Sequence, residues 1–212
     1  MLSTLLPFLG ACTLVAMSPG PSTVLIIRNS LRSRRSGLMA VLGNETGVFI
    51  WGLVAAFGLT ALLAASQLAY DVLRFGGAAV LIVFGVQAIR TARRGGSFEV
   101  AAEGGPVEGG PAEERGWRSY RGGLLLNLAN PKAAIFAMSF LPQFVPQGAP
   151  QLPMMVTLAA IWAVYEVGYY GMYVWFVGRL RRVLSRAGVR RRLEQISGGV
   201  LLALGVRLAL DG

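Results

Sequence analysis

A chain of 212 residues that is 54% hydrophobic and only 14% charged lacks the charge of an ordinary soluble domain, in which about a quarter of residues are charged. Its formal charge of +10 would suit nucleic acid, but the arginines cluster after alternate apolar runs instead of forming one basic face, which argues against a nucleic-acid partner. Histidine is absent, so the commonest transition-metal ligand and the usual near-neutral proton carrier are excluded.

Six apolar runs follow one another: 2–27, 37–65, 72–89, 122–145, 152–177 and 196–210, the last of them short. Spanning a bilayer takes about 20 apolar residues in a helix, and these runs lack the alternation of barrel strands, so each is predicted as a transmembrane helix in contact with membrane lipids. Arg28, Arg32, Arg34 and Arg35 follow the first run, Arg90 to Arg94 and Arg115 to Arg121 flank the third connection, and Arg179 to Arg192 follow the fifth. The positive-inside rule then puts the odd-numbered loops in the cytoplasm and both termini outside. "LGAC", ending at the single Cys12, faintly resembles a lipoprotein cleavage box, but no basic residue precedes it, so the run is read as an uncleaved span.

Between the third and fourth runs, residues 95–116 are rich in Gly, Glu and Pro and read as a disordered cytoplasmic linker. It separates residues 1–94 from 117–212, three spans each. An odd number of spans per half gives the halves opposite orientation, so the expected fold is an all-α membrane protein of two inverted three-helix repeats.

Each half carries a break. "MSPGP", Met17 to Pro21, puts two prolines inside the first span, and "NLANPKAAIF", Asn127 to Phe136, puts Pro131 beside Lys132 inside the fourth. Proline in a helix interior costs roughly 3 kcal/mol, so helices 1 and 4 are expected to be broken there. At 1.5 Å per residue, Pro21 lies about 10 Å from the basic end of its span and Asn130 about 13 Å from its own, both near the midplane. Paired interruptions at one depth point to a central binding site whose freed backbone groups hold substrate. Ser18, Pro19, Gly20, Pro21, Asn127, Asn130, Pro131 and Lys132 are the candidate substrate-binding residues.

Three ionisable residues reach the same level: Glu45, Lys132 and Glu166. An intramembrane charge costs at least about 2.5 kcal/mol, so these side chains should face a cavity or each other. Lys132 would receive a substrate carboxylate or pair with a glutamate. Glu166 and Glu45 are the candidate ion-coupling residues, Glu166 carrying the proton and Glu45 pairing with Lys132. Glu166 shares a helical stripe with Trp162, Tyr169 or Tyr170, and Tyr173, aromatic faces that suit an ammonium group or ordinary packing. Gly43 and Gly47 of "GNETG" have the spacing of a close helix contact, within one subunit or in a homo-oligomer.

Three stretches in order, "MSPGPSTVLIIRNSLRSRRSG", "VLRFGGAAVLIVFGVQAIR" and "NLANPKAAIFAMSFLPQF", resemble the LysE/RhtB family of amino-acid exporters. The resemblance runs along nearly the whole chain. It implies a six-span inner-membrane (plasma-membrane) exporter of amino acids or related small molecules, driven by the proton gradient, with no cofactor. The family's motif residues fall here on Pro19, Gly20, Pro21, Asn127, Asn130, Pro131 and Lys132, whereas Glu45 and Glu166 are chosen on depth alone. The resulting expectation is a proton-coupled antiporter and not an enzyme, since no nucleophile and base stand together. A metal-cation exporter and a non-transporting membrane protein remain the alternatives, the former short of ligands.

Overall fold

A computed structural model describes residues 2–17, 20–65, 112–146, 148–177 and 187–210, together with 75, 76, 78, 79, 82, 83, 85–87, 89, 90 and 93. Among the described residues every regular element is helical. In chain order these are α1 (Leu2–Met17), α2 (Pro21–Arg32), α3 (Arg34–Ala65), α4 (Ala112–Leu128), α5 (Pro131–Phe140), a 3-10 turn (Leu141–Phe144), α6 (Gln151–Trp175) and α7 (Ala187–Leu210). The described positions between 75 and 93 are helical as well.

Local chemistry accounts for several boundaries. α2 opens on Pro21, whose missing N–H is harmless at a first helical position, after Gly20 in an extended conformation (φ −145°, ψ −176°). One residue, Ser33, separates α2 from α3, and its Oγ accepts the Ser36 backbone N–H at 3.0 Å, a serine N-cap. α5 opens on Pro131 after the turn at Ala129 and Asn130. α4 starts at Ala112, inside the segment read as a linker. Glu113 and Glu114 stand in its first turn, where negative charge complements the helix dipole, so acidic residues that suggested disorder begin a helix. The remainder of that linker, positions 72–74, 77, 80, 81, 84 and 88 of the 72–89 run and the basic segment 179–186 lie outside the described residues.

Two helices, Arg34–Gly58 and Gln151–Trp175, are individually long and apolar enough to cross a membrane. The pairs α1–α2 and α4–α5 also pass when each is taken together, bent by 70° and 60° at their short breaks. By length and composition these helices are compatible with a membrane protein.

Glycine sets the closest contact between helices. A Cβ at Gly43 of α3 would collide with the Tyr120 carbonyl oxygen of α4, and one at Gly123 of α4 with the Ala40 carbonyl oxygen of α3. These backbones touch because neither carries a side chain there. Further along α3, a Cβ at Gly47 would lie 2.8 Å from that of Asn127, so both glycines of "GNETG" serve packing. Gly85 and Gly205 likewise admit Leu202 and Ile82, joining the helical residues near 85 to α7.

Two apolar clusters form around α3 and α6. One gathers Phe8 and Cys12 of α1 with Phe136, Phe140, Leu141, Phe144, Met155 and Trp162, its rings stacked or edge-on at 4.2 to 6.4 Å. The other gathers Ala16, Ile26, Ile27, Ala40, Val41, Tyr170, Tyr173 and Val174. A polar layer lies where they meet.

Candidate functional site

A cavity of about 100 Å³, partly open to the surroundings, lies in that layer. Its wall takes Gly20, Pro21, Ser22 and Thr23 from the start of α2 and Asn130 and Ala133 from the start of α5. Asn44 and Val48 of α3, Asn127 of α4, and Trp162, Glu166 and Tyr170 of α6 complete most of it.

The start of a helix exposes amide groups with no partner inside the helix, and together these carry partial positive charge. Both half-length helices, α2 and α5, bring such ends to one cavity. On α6, Trp162, Glu166 and Tyr170 follow at intervals of four residues and so share one face, which lines the same space.

A network of buried polar groups ties the wall together. Asn44 Nδ2 donates to Glu45 Oε1 at 2.8 Å, leaving Asn44 Oδ1 to accept Asn127 Nδ2 at 3.3 Å. This chain fixes the orientation of both amides. Trp51 Nε1 donates to the Asn127 carbonyl oxygen at 3.3 Å. Glu45 of α3 and Glu166 of α6 are buried, 2% and 4% exposed, with their carboxyl groups close enough to feel each other's charge. Two negative charges at such range repel strongly in a low-dielectric interior, and a proton held between them removes the repulsion. The Tyr170 hydroxyl donates to the Ala16 carbonyl oxygen at 3.3 Å and also bonds Thr23.

Of the residues singled out in the sequence, Gly20, Pro21, Asn127, Asn130 and Glu166 line the cavity, and Glu45 adjoins it beside Asn44. Ser18 and Pro19 lie outside the described residues. Pro131 and Lys132 form the first turn of α5 between the lining residues Asn130 and Ala133, but their side chains are outside the description. The anticipated pairing of Glu45 with Lys132 involves a side chain outside the description; the contacts described for Glu45 are with Asn44 and Glu166. In the aromatic stripe, Trp162 and Tyr170 line the cavity, while the Tyr169 and Tyr173 hydroxyls bond each other at 3.0 Å. Asn44, Thr23 and Phe136 were not singled out. Asn44 carried a signal, an amide beside a glutamate in an apolar run; Phe136 carried none, since aromatic residues at such spacing are ordinary core.

Chemically, the cavity joins two electropositive helix ends with the Glu166 carboxyl and aromatic side chains, groups able to meet both charges of a small zwitterion. No group of three or more Cys, Asp or Glu side chains able to hold a metal occurs among the described residues.

The chain is similar to known proteins along nearly its whole length. The chain is 23% identical to the membrane protein YrhP of Bacillus subtilis over 98% of its own length and 99% of the relative's. It is 27% identical to a homoserine/homoserine lactone efflux protein of Salmonella typhimurium, covering 95% of this chain and 94% of that protein. It is also 27% identical to a threonine efflux protein of Escherichia coli K12, covering 92% of each. No solved structure matches. Residues 13–212 match the family described as LysE type translocator, and the chain, a multi-pass membrane transport protein, belongs to that family.

Proposed function

We propose that this protein exports amino acids or related small zwitterionic metabolites across the inner (plasma) membrane by proton antiport. The observation that carries the reading is the joining, in one cavity, of the first turns of α2 and α5 with Glu166, itself in contact with Glu45. Relatives named for threonine and homoserine efflux support a substrate of this size and charge pattern. The substrate carboxylate is received by the helix ends, with Lys132 in the first turn of α5, and its ammonium faces Glu166 and the aromatic wall. The coupling proton is held between Glu166 and Glu45 and leaves as substrate binds.

In this reading each bent pair, α1–α2 and α4–α5, is one broken span, and the chain makes six spans in two inverted repeats with both termini outside. Alternating access exposes the cavity to either side in turn. Everted membrane vesicles containing the protein should accumulate labelled threonine or homoserine when their interior is made acidic, and a protonophore should abolish the accumulation. Equal uptake with and without the gradient would remove proton coupling; no uptake beyond that of control vesicles would remove the transport assignment for these substrates.

A further inference from the structure

Four buried side-chain atoms among the described residues make no hydrogen bond: Glu45 Oε2, Asn127 Oδ1, Gln143 Oε1 and Trp162 Nε1. Glu45 belongs to the carboxyl pair. Asn127 Oδ1 is pressed against α3, 2.9 Å from where a Cβ at Gly47 would stand. Gln143 sits in the 3-10 turn, away from the cavity wall. Trp162 differs from all three, because its unpartnered atom is a nitrogen donor and its ring lines the cavity.

An indole N–H can only donate, so a partner must bring an acceptor. Trp162 is 3% exposed, and its near neighbours are rings: Phe136 edge-on at 5.2 Å and Phe140 at 6.4 Å. It stands one helical turn from Glu166, on the side away from Tyr170 and the start of α2. With the substrate's ammonium at Glu166 and its carboxylate at the helix ends, the remaining substituent meets Trp162, Phe136 and Val48. These three side chains are apolar except for the indole N–H of Trp162, which no protein group satisfies.

We propose that Trp162 is a specificity-determining residue, its indole N–H donating to an oxygen in the side chain of the transported amino acid while Phe136 and Val48 bound the carbon skeleton. This rests on the transport reading above. A site that hydrogen-bonds a substrate oxygen discriminates against the analogue lacking it, because the buried donor is then left unpaired.

The test uses purified protein in proteoliposomes with two pairs of near-isosteric amino acids, threonine against valine and homoserine against norvaline. The unaltered protein should show a KM about tenfold lower for the hydroxylated member of a transported pair. Trp162→Phe keeps an aromatic ring but loses the N–H; it should bring the two KM values together, raising that of the hydroxylated substrate more than that of the apolar member. Absence of discrimination by the unaltered protein would overturn the proposal whether or not the variant folds. A folded Trp162→Phe protein that keeps the original KM ratio would overturn it equally. Transport of none of the four would instead bring down the reading on which the proposal rests, and this proposal with it.

Discussion

The Tyr170 hydroxyl lies 3.3 Å from the Ala16 carbonyl oxygen and also bonds Thr23, so a single α6 side chain holds the last turn of α1 and the first turn of α2. Ala16 is among the last four residues of α1, whose carbonyls have no partner inside the helix. The tyrosine therefore satisfies a backbone group that the break leaves open. Tyr170→Phe should keep the ring packing, lower stability by about 1 to 2 kcal/mol and raise the substrate KM several-fold. Thermal unfolding in detergent and initial uptake rates would show this; an unchanged KM would mean that the bonds position nothing the substrate touches.

Contact between Glu45 and Glu166 makes their effects interdependent. Glu166→Gln should retain exchange of labelled for unlabelled amino acid across vesicles but lose accumulation driven by a pH gradient. Because residues in one network are not additive, adding Glu45→Gln should cost little more. A double variant worse than the sum of the two singles, or accumulation by Glu166→Gln at the original rate, would contradict a shared role.

Glycine contacts between α3 and α4 give a stability prediction independent of transport. A Cβ at Gly43 or Gly123 meets a backbone carbonyl, which no rotamer change can move aside. Gly43→Ala and Gly123→Ala should each lower stability by about 1 to 3 kcal/mol. Gly168→Ala, at an open position on α6, should be neutral or slightly stabilising through helix propensity. Melting temperatures of the three variants in one detergent make the comparison.

Membrane orientation can be read by labelling. The connection before α6 contains Gly148 with φ +79°, a conformation that strains other residues, so a reporter cysteine belongs at the neighbouring Ala149. In a Cys12→Ser background, Ala149→Cys should react with an impermeant maleimide from outside and Gly104→Cys only from the cytoplasm. Labelling of both from one side would overturn the inverted three-plus-three arrangement.

What the sequence revealed and what it hid divide along a physical line. Helix starts at Pro21 and Pro131 and the packing role of Gly43 and Gly47 follow from local rules, because proline and glycine act on the backbone beside them. A common level for Glu45 and Glu166 is an expectation that counting along their apolar runs at a fixed rise per residue supplies. Their proximity is not legible there, since it depends on how α3 and α6 turn their faces. The amide chain from Asn127 through Asn44 and the orphaned Trp162 N–H belong to the same hidden class: each is a relation between helices distant in sequence. At the start of α4 the local signal misled, as Glu113 and Glu114 suit a helix N-terminus as well as a disordered tether.

The corner at Ser33 has a mechanical consequence. With one residue between α2 and α3, a hydroxyl cap fastening it, and Ser30 packed so close that a Cβ at Gly37 would strike it, the joint has no slack. α2 is thus a short crank rigidly fixed to a long shaft. When α3 rolls about its axis, the Pro21 end of α2 must sweep through an arc, so a small rotation at the corner becomes a larger displacement of the wall at Gly20 to Thr23.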